Sequence, residues 1–153
     1  IMKNPYYRKP KSTAQSDISI QDNYLNFLDT VITQGYVFGL YNEGWALCAT
    51  HTGQQSLAIW SHKNLASMLM HGDWANYKIQ KVTLKLFLEK IIPYLKEVKY
   101  ILSLNLSPEG RNIQVNPEKM LLDLKSTLYK LYISRPDLYE KLDLPLPRNI
   151  RIH

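Results

Sequence analysis

Apolar and polar positions alternate along this chain with two distinct periods. From Ser19 onward Ile20, Tyr24, Phe27, Leu28, Val31 and Ile32 recur at helical spacing. Their pattern predicts an amphipathic helix over roughly 20–33. Gly35 follows the last periodic residue, where a left-handed cap commonly ends a helix. The period then switches: "GYVFGLY", "WALCAT" and "SLAIW" are rich in aromatic and β-branched residues and are separated by "NEG" and "HTGQQ". Two short glycine-containing connections between such runs predict consecutive hairpins, a meander. In the middle run Trp45, Leu47 and Ala49 face one way and Ala46, Cys48 and Thr50 the other. Both faces are apolar or small, as expected of a central strand.

Ser61 is the expected cap of a helix through "HKNLASMLMH", which Gly72 stops. "DWANYKIQKV" is irregular or holds a short strand. Thr83 opens a strong helix with Leu84, Phe87, Leu88, Ile91, Ile92 and Leu95 on one stripe. Pro93 should kink it, because proline removes an internal hydrogen bond. "KYILSLNL" and "RNIQV" form a hairpin around "SPEG", whose proline and glycine suit a type I turn. Asn116-Pro117 starts a last long helix. Arg135-Pro136 ends it, and "DLYEKL" adds a turn or two. The sum is an α+β fold: one antiparallel sheet of about five strands, a meander plus a C-terminal hairpin, with helices packed on it. Residues 1–17 read as a basic lead-in, 18–135 as a single domain and 136–153 as a C-terminal extension.

With 153 residues the chain suits one domain with its own core. Its net charge is +6, and residues 12–144 hold 13 basic and 13 acidic side chains. The excess therefore lies in Lys3, Arg8, Lys9, Lys11, Arg148 and Arg151, in the two ends. A nucleic-acid reader usually carries a basic face on its folded body, which argues against nucleic acid as the partner. The rival reading keeps those arms as contacts to an anionic partner. Met2 is the expected natural start, with Ile1 an appended residue, and the first residues lack the apolar run of a signal peptide. No apolar run of about 18 residues predicts a membrane span. A single cysteine fits a reducing, cytoplasmic setting.

The segment from the first helix through "NPEKMLLDLKSTL" resembles a bacterial family filed as domain of unknown function 2750. The likeness rests on Phe27 in a helix, the run Gly44 to Leu47, then Trp60, Ser61 and Ala66, then Leu84 to Leu88, then Pro117 after a hairpin. It spans roughly residues 20–131 and implies a compact α+β fold. It implies no activity and supplies no catalytic residues.

Candidate chemistry is sparse. Cys48 and His51 would make a nucleophile and base if the turn at 51–53 bent the chain back on itself. Residues three apart on one strand otherwise face opposite ways, and free cysteine is among the most buried residue types, so a structural Cys48 is the leading reading. His62 and His71 lie nine apart, on roughly opposite faces of one helix, and no metal motif is present. No glycine-rich phosphate loop and no cofactor motif occurs. The eleven tyrosines and three tryptophans remain. Trp45, Trp60 and Trp74, with Tyr36 and Tyr77 beside them, are the candidate binding residues, because Trp and Tyr are enriched at interfaces. The competing reading packs Trp45 and Trp60 into the core and leaves Trp74 the more exposed. These features favour a non-enzymatic protein-binding or accessory module, a second copy of the chain being one candidate partner. The alternatives are nucleic-acid binding through the arms and a Cys48–His51 enzyme. The alternation of Leu144, Leu146, Ile150 and Ile152 adds the expectation of an extended arm docked along a groove or sheet edge, in cis or on a second copy.

Overall fold

The computed structural model describes residues 13–141 and 144, with side chains from Ser19 onward. The lead-in to residue 12 and the arm after Leu144 lie outside the described residues. The elements run α1 (Thr13–Gln34), β1 (Tyr36–Tyr41), β2 (Leu47–Ala49), β3 (Gln55–Ile59), α2 (Lys63–Ser67), β4 (Lys78–Thr83), α3 (Leu84–Leu86), α4 (Ile92–Val98), β5 (Ile101–Leu104), β6 (Ile113–Val115), α5 (Pro117–Ser134) and α6 (Pro136–Lys141). The class is α+β. α1 begins at Thr13 rather than near residue 20. The apolar stripe that reveals it starts only at Ile20, whereas the preceding turns contain no proline to stop a helix.

The sheet departs from the expected single antiparallel layer. β1 pairs antiparallel with β4 as a two-stranded ribbon, and the other strands form a four-stranded sheet in the order β2-β3-β5-β6. β2–β3 and β5–β6 are the expected hairpins. β3 and β5, however, run parallel, from Ser56 beside Ile101 to Ile59 beside Leu104. β2 is thus an edge strand, not a central one. The "NEG" turn forms, with the Asn42 amide donating to the Gly44 carbonyl (2.9 Å), but beyond it only Tyr41 and Trp45 pair as an isolated bridge. Glu43 takes a left-handed conformation (φ 59°), and Phe38 pairs with Trp60 instead. The Trp45 ring crosses β1 over Gly39, where an added Cβ would stand 2.8 Å from Cζ3. Only glycine permits that approach.

Helix ends follow their local chemistry. Gly35 (φ 85°) closes α1, its amide donating to the Val31 carbonyl (2.7 Å). Thr83 Oγ1 accepts from the Leu86 amide (3.1 Å), and Asn116 Oδ1 accepts from the Lys119 amide (2.8 Å). Pro93 is absorbed by a π-helical turn over Phe87–Ile91. The shifted register places the proline in the first turn of α4, where its missing N–H is not needed. Ser61 caps nothing: His62 is the N-cap of α2, without a side-chain bond.

Period-two alternation along β3 divides the interior. Leu57 and Ile59 enter the main core, with Phe27, Val31, Phe87, Ile92, Leu102, Leu104 and Leu124 from the helices and β5. Tyr139 and Leu144, beyond the end of α5, belong to the same core. Ala58 and Trp60 enter a smaller cluster on the opposite face, with Leu40, Ala46, Ala66 and Leu69. Trp60 is fully buried, and its Nε1 donates to the Leu106 carbonyl (2.9 Å). An aromatic side chain so enclosed contributes about 3–5 kcal/mol over alanine.

α1 and α5 are also joined by a polar contact. The Tyr24 hydroxyl donates to Asp123 Oδ2 (2.7 Å), which also receives Lys119 Nζ (2.9 Å). Burial, then the hydrogen bond to Asp123 and its charge, push the Tyr24 hydroxyl far above the ordinary tyrosine range. Burial, reinforced by Tyr132, pushes Tyr139 up to about 12. Both groups keep their protons in the native state where the unfolded chain releases them. The stability they contribute is therefore complete below pH 10.0 and is lost as pH rises towards about 12 and beyond. Urea melts across that range should show a falling midpoint, with a shallower fall for the Tyr24→Phe/Tyr139→Phe double variant. An unchanged slope in that variant would contradict the assignment.

Candidate functional site

The parallel pair decides where the surface opens. At the carboxyl end of β3 the chain leaves through Trp60 and Ser61, and at the carboxyl end of β5 through Asn105. The Asn105 amide continues the ladder by donating to the Ile59 carbonyl (2.9 Å). Asn105 then turns with φ 53°, a left-handed backbone in which asparagine is the commonest residue after glycine. Its Oδ1 accepts from the Ser61 amide (2.9 Å), and its Nδ2 donates to Ser61 Oγ (3.2 Å). Ser61 itself is buried; its amide and hydroxyl are satisfied by this one side chain, and its carbonyl accepts from Gln34 Nε2 (2.7 Å).

Over that seam lies an open cleft of about 670 Å³ between α1, the start of α2 and the β5–β6 hairpin. Its apolar floor is Phe27, Leu104 and Ile113, with Ile20 and Leu65 at the edges. Asn23, Asn26 and Thr30 line it from α1, Ser61 and His62 from the β3–α2 junction, and Asn105, Ser107, Arg111 and Asn112 from the hairpin. Asn23, Asn26 and Thr30 recur at helical spacing around Phe27, which places amides and a hydroxyl beside a buried ring. The hairpin loop is tied by Gly110 N–H to the Ser107 carbonyl (2.9 Å) and by the Arg111 amide to Ser107 Oγ (3.1 Å). Asn112 Nδ2 donates to the Gly110 carbonyl (3.2 Å), whereas its Oδ1 is buried with no hydrogen-bond partner. In sheets with parallel strands, ligands commonly bind outside the carboxyl ends, and this cleft lies there.

The residues singled out from the sequence lie elsewhere. Trp60, Trp74 and Tyr77 do meet, with ring centroids 6.3 Å and 6.4 Å apart in succession. Trp74 and Tyr77 are half-buried at the rim of the smaller core. Trp45 stands apart, edge-on to Tyr41 at 5.0 Å. Tyr36 packs edge-on to Phe38 (5.4 Å) with Lys81 Nζ 4.5 Å from its ring centroid. It borders a second, shallower hollow of about 560 Å³ with Gln34, His62 and Lys63. The aromatic residues thus form three separate groups, not one pocket.

Cys48 and His51 do not meet in a hydrogen bond. Cys48 Sγ donates to Ser103 Oγ (3.6 Å), which lies 2.6 Å from Ser56 Oγ, while His51 is exposed in its turn. Among the described residues no group of three or more His, Cys, Asp and Glu is placed to hold a metal ion. Among them, too, no helix is long and apolar enough to cross a membrane.

Comparison with known proteins places this chain. The family model described as "Protein of unknown function (DUF2750)" matches residues 24–124, and the chain belongs to that family. No curated protein and no solved structure matches it. The matched span includes α1 from Tyr24, both strands of the parallel pair and the whole β5–β6 hairpin, and so most of the cleft lining.

Sequence reasoning missed the cleft because its polar residues belong to no motif. The available signal was the set of asparagines on one face of the first helix, Asn23 and Asn26, and at the strand ends, Asn105 and Asn112. Asn105 gives the sharpest test of the seam. Asn105→Ala loses the bonds to Ser61 and puts into left-handed backbone a residue without the short polar side chain that eases it, at a cost of about 2–3 kcal/mol. Asn105→Gly loses only the bonds and should cost about 1 kcal/mol less. Urea melts of both variants check the order. A glycine variant no more stable than the alanine variant would show that backbone conformation does not matter there.

Proposed function

We propose that this chain is a non-enzymatic, cytoplasmic protein-binding module, and that the cleft beyond β3 and β5 seats a segment of its partner. The observation that carries the reading is the cleft's composition. Amide and hydroxyl groups, which both donate and accept hydrogen bonds, surround a floor of Phe27, Leu104 and Ile113. A polypeptide offers the same combination: a backbone that alternates donor and acceptor, and side chains that seek apolar contact. The separation of Cys48 from His51 gives a cysteine-dependent reaction no geometric support. The single unpaired Cys48 supports a reducing compartment.

The test is selection of a displayed random-peptide library on the folded chain, followed by affinity measurements on Thr30→Arg. Thr30 lies on the cleft wall, and an arginine there fills the opening without touching the main core. Enriched peptides should bind Thr30→Arg at least roughly tenfold more weakly, about 1.4 kcal/mol, with the melting temperature unchanged. Absence of enrichment, or equal binding by the two proteins, would overturn the reading.

A further inference from the structure

Helix α5 is apolar on two opposite faces. Met120, Leu121, Leu124 and Leu128 enter the main core. Leu122, Tyr129 and Ile133 lie on the other side and are 51%, 54% and 60% exposed. Single exposed apolar side chains are ordinary on a protein surface. These three are aligned: with the exposed Ser126 among them, they follow a four-three-four spacing along the helix. That spacing is the repeat by which one helix seats its side chains on another. None of the cleft lining comes from α5, so the stripe is a second surface, independent of the docking role proposed above.

The stripe is complementary to itself in one orientation. Its spacing reads the same from either end. If a second copy runs antiparallel, Leu122 meets the partner's Ile133, and Ser126 meets the partner's Tyr129, so the smallest side chain faces the largest. A parallel copy would set serine against serine, leaving a gap, and crowd the two tyrosine rings into one layer. Charge agrees with shape. Asp123 and Lys130 follow Leu122 and Tyr129 by one residue each, and so lie on the same flank of the stripe. Antiparallel packing brings Lys130 beside the partner's Asp123, whereas parallel packing brings like charges together. Asp123 Oδ2 already accepts from the Tyr24 hydroxyl (2.7 Å) and Lys119 Nζ (2.9 Å), and the carboxylate has a second oxygen to offer. An exposed ion pair adds little strength, so its part is to select the orientation.

We infer that α5 docks antiparallel on the α5 of a second copy of this chain, about a twofold axis at the level of Thr127 and Leu128. The contact uses the same residues on both copies and closes on itself. One helix face is smaller than a permanent dimer interface, so the pair is reversible and forms as the concentration rises.

Sedimentation equilibrium of the full chain, at concentrations up to about 1 mM, gives the test. The chain should associate to a dimer and no further. Ser126→Tyr puts two rings into each central layer and should raise the dissociation constant at least roughly tenfold. The double variant Ser126→Tyr/Tyr129→Ser again sets a small side chain against a large one, and should return the constant to within about threefold of the original. Both positions are exposed, so the melting temperature of the dilute monomer should stay the same in each variant. A parallel pair, or a surface that is merely adhesive, would gain from the ring that Ser126→Tyr adds and associate more tightly, which would overturn the inference. So would a double variant as weak as the single one. A chain that stays monomeric throughout the range would also overturn it and leave the stripe to a different partner.

Discussion

The parallel pairing of β3 with β5 is the contact on which the rest of the molecule depends. A parallel neighbour cannot be reached by a tight turn; the chain must leave at one end of the sheet and return to the other. Here the detour from Ile59 to Ile101 contains α2, β4, α3 and α4. Each part of it finds a use. α2 covers the face that holds Ala58 and Trp60, β4 pairs with β1, and the helix interrupted by a π turn brings Phe87, Ile92 and Leu95 onto the opposite face. The small side chains of Ser56, Ala58 and Ser103 let neighbouring layers approach, and the two serines satisfy each other at 2.6 Å.

The same pairing creates the cleft. Two strands that end side by side and point the same way leave residues just beyond their ends, Ser61 and Asn105, facing one another. Antiparallel partners would have sent those residues to opposite ends of the sheet. The hydrogen bonds between Ser61 and Asn105 close the seam, α1 lines one wall, and the β5–β6 turn supplies Ser107, Arg111 and Asn112. The cleft is thus a consequence of topology rather than of a motif, and most of its lining lies within residues 24–124, the span that the family model matches.

Much of the local structure was legible in the sequence. Gly35, Thr83, Asn116 and the "SPEG" turn act as their chemistry predicts, because capping and turn formation are settled within a few residues. The burial of Trp60 agrees with the reading that packs it into the core. Strand partners were not legible: period two tells which face a side chain takes, not which strand lies beside it. The "NEG" turn therefore suggested a hairpin between β1 and β2, whereas β1 reaches past β2 to Trp60 and pairs along its other edge with β4. Ser61 shows the same limit in one residue. Its position before a helix suggested a cap, but a long-range partner, Asn105, takes its hydrogen bonds. The cleft was illegible for that reason too, since its walls come from segments that meet only once β3 and β5 are paired.

Residue-resolved hydrogen exchange in the native state tests this account most directly. The informative amides are Asn105, bonded to the Ile59 carbonyl, Ser61, bonded to Asn105 Oδ1, and Phe38 and Trp60, bonded to each other's carbonyls. If the parallel pair and its seam form the frame, all four should exchange only through global unfolding, with opening free energies equal to the stability measured in denaturant. Exchange of Asn105 and Ser61 by local opening, as fast as in the exposed turn around His51, would contradict it.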